Sequence, residues 1–211
     1  SVVLELSSFQ LESIESFTSE VSALLNVFPN HGERYESFDD YGLSKLNILK
    51  GGTSEKSFYC MNNLPSPFLD VVKSSSLKVS FLPFLELKTP PLEVLSKDNL
   101  VRELGLNILS FKLPVVHNLH NLLFASHISF KMGATKEGLQ KAIDHFLGVD
   151  FRLQYVPSSL SLLCFNDAKS TNWDATFTAL RAFHDNNEAT LYLILGGAKR
   201  GRGDSVPQEL L

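Results

Sequence analysis

Short apolar runs alternate with helix-like stretches along this chain, and this alternation restricts the possible folds more than any other feature. The runs at residues 2–4, 21–27 and 189–195 are too short for buried helices. Their aliphatic and β-branched side chains are typical of strands that are buried on both faces of a parallel sheet. Stretches such as residues 38–50 and 117–131 have helical spacing of apolar side chains instead. We therefore predict an α/β fold.

The remaining segments follow the same alternation up to a glycine-containing stretch at residues 148–150, which we interpret as a domain junction. Further strands are predicted at 57–61, 77–87 and 107–113, a hairpin at 152–156 and 161–165, and helices at 11–17, 67–74, 135–146 and 171–184, with 92–104 irregular or partly helical. The chain thus divides into two domains, residues 1–148 and 149–211.

Composition excludes several classes of function. The 211 residues carry a net charge of −4, so no basic surface for nucleic acid or membrane is expected. No apolar run approaches the roughly 20 residues of a membrane span. The cysteines Cys60 and Cys164 lack metal-ligand spacing and are expected to be reduced thiols, although the sequence leaves a disulfide open. The chain has no signal peptide and opens with an apolar strand instead of methionine, which suggests a piece cut from something longer.

Polar side chains follow the first two predicted strands. Glu5 ends the first strand and His31 follows the second, so both are expected at one edge of the sheet if the strands are parallel neighbours. A carboxylate there can bind Mg2+, although imidazole is an unusual ligand for that ion. Lys45 lies on a predicted helix one turn after Tyr41. The alternative interpretation is that these residues form no metal site. Glu5 would then be a surface acid beside a helix-capping serine, His31 a loop histidine and Lys45 a surface lysine.

Three further stretches combine polar side chains with predicted helix starts or glycines. Asn118 and Asn121 share a helix face, and asparagine amides can pair with the edge of a nucleobase. Asp167 and Lys169 lie between a strand and a helix, where anions bind. The stretch 196–204 combines glycines with three cations but is not a Walker A loop. Simple helix capping remains open for the first two stretches.

These stretches together resemble the ATP-dependent Mur ligases. The motifs occur in that family's order: ELSSFQLE at 5–12, NHGERY at 30–35, YGLSK at 41–45, HNLHN at 117–121, NDAKSTN at 166–172 and LILGGAKRG at 193–201. ELSSFQLE is typical of the branch of the family that adds D-glutamate. The resemblance covers essentially the whole chain.

The resemblance implies a domain identity for each part of the chain. Residues 1–148 correspond to the later part of the central ATP-binding domain, a mostly parallel sheet with flanking helices. Residues 149–211 correspond to the first part of a Rossmann-like C-terminal ligase domain. The family's Gly-Lys-Ser/Thr phosphate loop and UDP-binding domain would lie upstream, and the end of the C-terminal domain downstream. We therefore expect the 211-residue polypeptide alone to be inactive.

The resemblance also implies roles for individual residues. In the first domain the metal ligands are Glu5, His31 and a carbamylated Lys45, the substrate-binding residues are Ser7 and Gln10, and the asparagines that hold ATP are Asn118 and Asn121. In the second domain ATP is held by Arg152 and Asp167, D-glutamate lies beside Lys169 and Thr171, and the family's lysine after the glycine pair falls at Lys199 or Arg200. Lys45 and Lys169 are the catalytic candidates.

The function implied is amide-bond formation in peptidoglycan precursor synthesis. With ATP and Mg2+, the family activates UDP-N-acetylmuramoyl-L-alanine as an acyl phosphate, and D-glutamate displaces the phosphate. A cytoplasmic monomer is expected. Two alternatives stay open: a non-catalytic remnant with a nucleotide-binding or interaction role, and a folylpolyglutamate-synthase-type ligase, which ELSSFQLE does not fit.

Overall fold

The chain forms two compact units, Ser1–Phe146 and Leu147–Leu211, each described here by itself. The computed structural model describes residues 1–29, 34–84, 98–113, 116–181, 183, 190–197 and 207. His31, Lys199 and Arg200 lie outside these ranges, so their predicted roles stay predictions. The identities of the two units as particular ligase domains also stay predictions.

A three-stranded parallel sheet forms the centre of the first unit. Its strands are β1 (Val21–Leu24), β2 (Ser57–Met61) and β3 (Lys78–Leu82), in the order β1-β2-β3. The register pairs Ala23 with Tyr59 and Tyr59 with Ser80. Every residue of the central strand β2 is buried, which explains its continuous apolar sequence. The predicted α/β class is confirmed.

Helices cover both faces of this sheet because the side chains of β2 alternate between them. Tyr59 and Met61 belong to one core, with Leu119 and Phe124. Phe58 and Cys60 belong to the other, with Tyr41, Phe68 and Val72. The helices of this unit are α1 (Ser8–Glu12), α2 (Phe38–Leu46), α3 (Phe68–Ser74), α4 (Asn99–Leu104), α5 (Val116–Lys131) and α6 (Lys136–His145), with 3₁₀ turns at Asn47–Leu49 and Ile108–Ser110. Because helices cover both faces of the sheet, a binding site in this unit has to form at helix starts and loops.

The second unit contains an antiparallel pair of strands and one helix among its described residues. The strands β4 (Gln154–Val156) and β5 (Cys164–Asn166) pair with Tyr155 opposite Phe165, which confirms the predicted hairpin with later strand starts. Helix α7 spans Trp173–Arg181. Thr176 is the buried residue of the described part of this unit.

Three strand predictions are wrong. Residues 2–4 are not in a sheet, and Val3 is 94% exposed. Residues 190–195 of the run 189–195 are likewise outside any sheet and exposed. An apolar run becomes a strand only where a neighbouring strand takes its backbone hydrogen bonds, and the described residues place none there. Residues 107–113 contain a 3₁₀ turn because the Asn107 side chain accepts the Leu109 N–H at 3.2 Å.

Candidate functional site

The motif ELSSFQLE folds as a capped helix start. The Gln10 N–H donates to Ser7 Oγ at 3.3 Å, and the Ser7 N–H donates to Gln10 Oε1 at 2.8 Å. This reciprocal pair is a capping box, which satisfies two otherwise unpaired donors at the helix start. The capping alternative weighed for this motif therefore describes its local structure. The binding roles of Ser7 and Gln10 stay predictions.

An open cleft of about 380 Å³ lies between this helix start and α2. Four of the predicted site residues line it together: Glu5, Ser7, Gln10 and Lys45. The remaining lining residues are Leu6, Ser8 and Tyr41. The structure thus brings a carboxylate and an amine from two separate motifs to one surface. The spacing of Tyr41 and Lys45, one helical turn apart, is the sequence signal that places Tyr41 in the cleft beside Lys45.

Lys45 is in the last turn of α2 and is partly buried. Burial lowers the pKa of its amine, whereas the nearby charge of Glu5 raises it, and burial is the larger effect. Lys45 Nζ is 5.0 Å from the centroid of the Tyr41 ring, within the range of a cation–π contact. A lowered pKa increases the fraction of neutral amine at a given pH, and only the neutral amine is a nucleophile.

An aromatic and ionic cluster joins α1 to the segment that follows residue 33. Tyr35 stacks on Phe9 with 6.1 Å between ring centroids and also contacts Tyr41 at 5.3 Å. Arg34 is 4.9 Å from the centroid of the Phe9 ring and donates to Glu12 at 2.5 Å. The sequence pattern did not predict this cluster, although all its members lie in the motifs ELSSFQLE, NHGERY and YGLSK. It connects the helix start that lines the cleft with the motif that contains His31.

The asparagines Asn118 and Asn121 are in the first turns of α5, and the cleft does not include them. Asn121 is exposed and Asn118 is partly buried. Between them, His120 stacks on Phe84 at 5.2 Å. Burial, and then the charge of His117, lower the pKa of His120 to about 4, so this imidazole is neutral at pH 7. The two asparagines are therefore neighbours in sequence of a partly buried, neutral imidazole.

In the second unit, Asp167 connects the turn after β5 to the loop before β4. Its Oδ1 accepts the Leu153 N–H at 2.9 Å, and its Oδ2 accepts the Ser170 hydroxyl. The Lys169 N–H donates to the carbonyl oxygen of Phe151 at 3.1 Å. The side chains of Arg152, Lys169 and Thr171 are exposed around this connection. The structure therefore places these four predicted residues on two linked segments.

A metal site is only partly represented. Among the described residues there is no group of three or more His, Cys, Asp or Glu side chains that could hold a metal ion. Glu5 is the carboxylate that lines the cleft, and His31 is outside the described ranges.

In the described part of the chain, no helix is long and apolar enough to cross a membrane.

Curated relatives match almost the whole chain, whereas no family model matches it. A protein of Koribacter versatilis is 31% identical over 214 residues, which is 99% of this chain and 46% of the relative. Proteins of Bacillus cereus and Bacillus subtilis are each 34% identical, over 98% and 96% of this chain and 45% and 44% of their own lengths. All three are named UDP-N-acetylmuramoylalanine–D-glutamate ligase. The chain thus spans less than half the length of these relatives.

Proposed function

The chain belongs to the family of UDP-N-acetylmuramoylalanine–D-glutamate ligases, of which it matches a part, and from this premise we propose its function. We propose that it contributes the nucleotide and metal side of an ATP-dependent ligase. The reaction joins D-glutamate to UDP-N-acetylmuramoyl-L-alanine during peptidoglycan precursor synthesis. The observation that carries the proposal is the cleft, because it unites residues of two separate motifs of the family, Glu5 and Lys45.

The residues present are compatible with Mg2+ in this cleft. Mg2+ takes oxygen ligands and is often held by one or two carboxylates together with substrate phosphates, so Glu5 alone provides a suitable anchor. The ammonium form of Lys45 would oppose a cation beside Glu5, but burial lowers the pKa of this amine. When bound, Mg2+ would neutralise phosphate charge. His31 is the further ligand that the resemblance implies.

Lys45 has a second proposed role as a carbamate. The neutral amine would attack carbon dioxide, form a carbon–nitrogen bond and release a proton. The product is an anion, so a cation next to Glu5 would be replaced by an oxygen ligand of the type that Mg2+ prefers. The lowered pKa and the open cleft both favour this reaction, because they supply neutral amine and access.

The nucleotide and D-glutamate roles are divided between the two units. We propose that Asn118 and Asn121 bind ATP, with Asn121 near the adenine, and that Arg152 and Asp167 hold the nucleotide from the second unit. Lys169 and Thr171 would face D-glutamate, and Lys199 or Arg200 would neutralise substrate charge. Ser7 and Gln10 would contact the UDP-muramoyl substrate. Transfer of this kind depends mainly on positioning and charge neutralisation, which cations and helix starts provide.

A chimera tests the proposal directly. The matching segment of the Bacillus subtilis ligase is replaced by this chain, and phosphate release from ATP is measured. We expect release that requires both UDP-N-acetylmuramoyl-L-alanine and D-glutamate, and no release when a folate replaces the nucleotide substrate. Circular dichroism and thermal unfolding establish that the chimera is folded.

A folded chimera that binds ATP without substrate-dependent phosphate release would contradict the ligase proposal and favour the non-catalytic remnant. The 211-residue chain alone is expected to release no phosphate. It contains no Gly-Lys-Ser/Thr phosphate loop, and this loop provides the phosphate contacts of the family.

A further inference from the structure

The two residues that flank Arg152 have an unusual backbone conformation. Phe151 has a φ of 65° and Leu153 a φ of 47°. Both φ values are in the left-handed region, which is unfavourable for residues other than glycine. Such residues persist only where surrounding contacts hold them, and they concentrate at functional sites. The single arginine between them is exposed.

Asp167 provides the contacts that hold the second of these residues. Its Oδ1 accepts the N–H of Leu153 at 2.9 Å. Its Oδ2 accepts the hydroxyl of Ser170, so both carboxylate oxygens are hydrogen-bonded within the protein. The Ser170 N–H also donates to the Asp167 carbonyl at 2.9 Å, which closes the turn around the carboxylate. Ser170 therefore orients Asp167, and Asp167 orients Leu153.

Gln154 holds the first of these residues from the other side. Its Oε1 accepts the N–H of Phe151 at 3.0 Å, and its Nε2 donates to Asp150 Oδ1 at 2.8 Å. The carbonyl oxygen of Phe151 accepts the Lys169 N–H at 3.1 Å. Both polar backbone atoms of Phe151 are therefore used, and the backbone of Lys169 is tied to the residue that precedes Arg152.

We propose that Ser170 and Gln154 are positioning residues that hold Arg152 for a phosphate group of the nucleotide. They act through Asp167 and through the backbone of Phe151 and Leu153. The network leaves two exposed cations, Arg152 and Lys169, on segments joined by a direct backbone hydrogen bond. The exposed guanidinium of Arg152 and ammonium of Lys169 favour an anionic ligand. This inference rests on the proposed function.

The test uses the isotope-labelled 211-residue chain and ATP with Mg2+ as the probe. Ser170→Ala removes the hydroxyl, Ser170→Thr keeps it, and Ser159→Ala changes an exposed serine of the hairpin loop as a matched control. Hydrogen exchange of the Leu153 amide reports the network. The NMR signal of the Arg152 Nε–H, followed during the ATP titration, reports the function. Gln154→Ala tests the same loop independently, because it removes the acceptor of the Phe151 N–H.

We expect Ser170→Ala and Gln154→Ala to weaken ATP binding at Arg152 about fivefold, the effect of one lost hydrogen bond. Ser170→Ala also speeds exchange of the Leu153 amide, Ser170→Thr restores both readouts, and Ser159→Ala changes neither. Faster exchange with unchanged ATP affinity in both variants would overturn the positioning role and leave the proposed function intact. An Arg152 signal that does not respond to saturating ATP in the unaltered chain would overturn the positioning proposal, whereas phosphate release by the chimera tests the proposed function separately.

Discussion

At the scale of single residues, burial decides which polar side chains are chemically unusual. Lys45 has a lowered pKa because part of its side chain is removed from water. The thiol of Cys60, in the core around β2, has its pKa raised by burial to about 11 and is therefore unreactive near pH 7. Of these two groups, only Lys45 has its pKa shifted toward its reactive form, the neutral amine, and it lies in the cleft.

Asp98 is a third residue whose ionisation is changed by its environment. Burial alone would raise its pKa, but the hydrogen bond from His127 at 3.2 Å and the N–H groups of Val101 and Leu100 lower it overall. The folded state thus stabilises the carboxylate. Since a lowered folded pKa adds stability above the unfolded pKa of about 3.9, this contribution is lost as pH falls through the folded value.

We predict that Asp98→Asn lowers the free energy of unfolding by about 1–3 kcal/mol at pH 7, because asparagine can still cap the helix but loses the carboxylate charge that faces His127. The difference between the two proteins should shrink below pH 4. Urea denaturation at the two pH values measures it, and Asp70→Asn, on the exposed side of α3, is the control. A difference that stays constant between pH 7 and pH 3 would contradict this account.

At the scale of secondary-structure elements, the close approach of α2 to α3 depends on one glycine. A Cβ atom added to Gly42 would lie 2.2 Å from Cζ of Phe68, which is fully buried. The ring cannot move without disturbing the core around it. This contact also fixes α2, the helix that carries Tyr41 and Lys45 into the cleft.

We predict that Gly42→Ala destabilises the protein by about 1–3 kcal/mol through overpacking. Gly138→Ala is the matched control, because a Cβ there would meet Thr135 Oγ1 at an ordinary 3.5 Å. Alanine is the better helix former, so the control should be neutral or stabilising by up to about 1 kcal/mol. Thermal unfolding of the two variants compares them, and equal midpoints would exclude overpacking at Gly42.

The sequence predicts elements well where local chemistry is sufficient to define them. Residues 57–61 form the predicted strand, and the helix predicted at 135–146 begins after Thr135, which caps α6 by accepting the Gly138 N–H. The pattern fails where a partner decides the outcome. Residues 2–4 and 190–195 have the composition of strands, but a strand also needs neighbours to take its hydrogen bonds.

At the scale of the whole molecule, part of the candidate site is predictable from the sequence. The motifs predict that Glu5 and Lys45 act together, and the structure places both in one cleft. The network around Arg152 was not predictable, because the positive φ values of Phe151 and Leu153 leave no compositional trace in residues other than glycine. The two units have different interiors: the first has two apolar cores, whereas the buried residue in the described part of the second is Thr176.

We propose that the cleft containing Glu5 and Lys45 is the metal side of a D-glutamate ligase. The most direct test compares Lys45→Ala and Glu5→Gln with Lys73→Ala in the Bacillus subtilis chimera, using D-glutamate-dependent phosphate release. Lys73 is exposed on α3, outside the cleft. We expect each cleft variant to lose about 10²–10³-fold in rate, as for other groups that stabilise transition-state charge, and Lys73→Ala to keep full activity. Full activity in both cleft variants would contradict the claim.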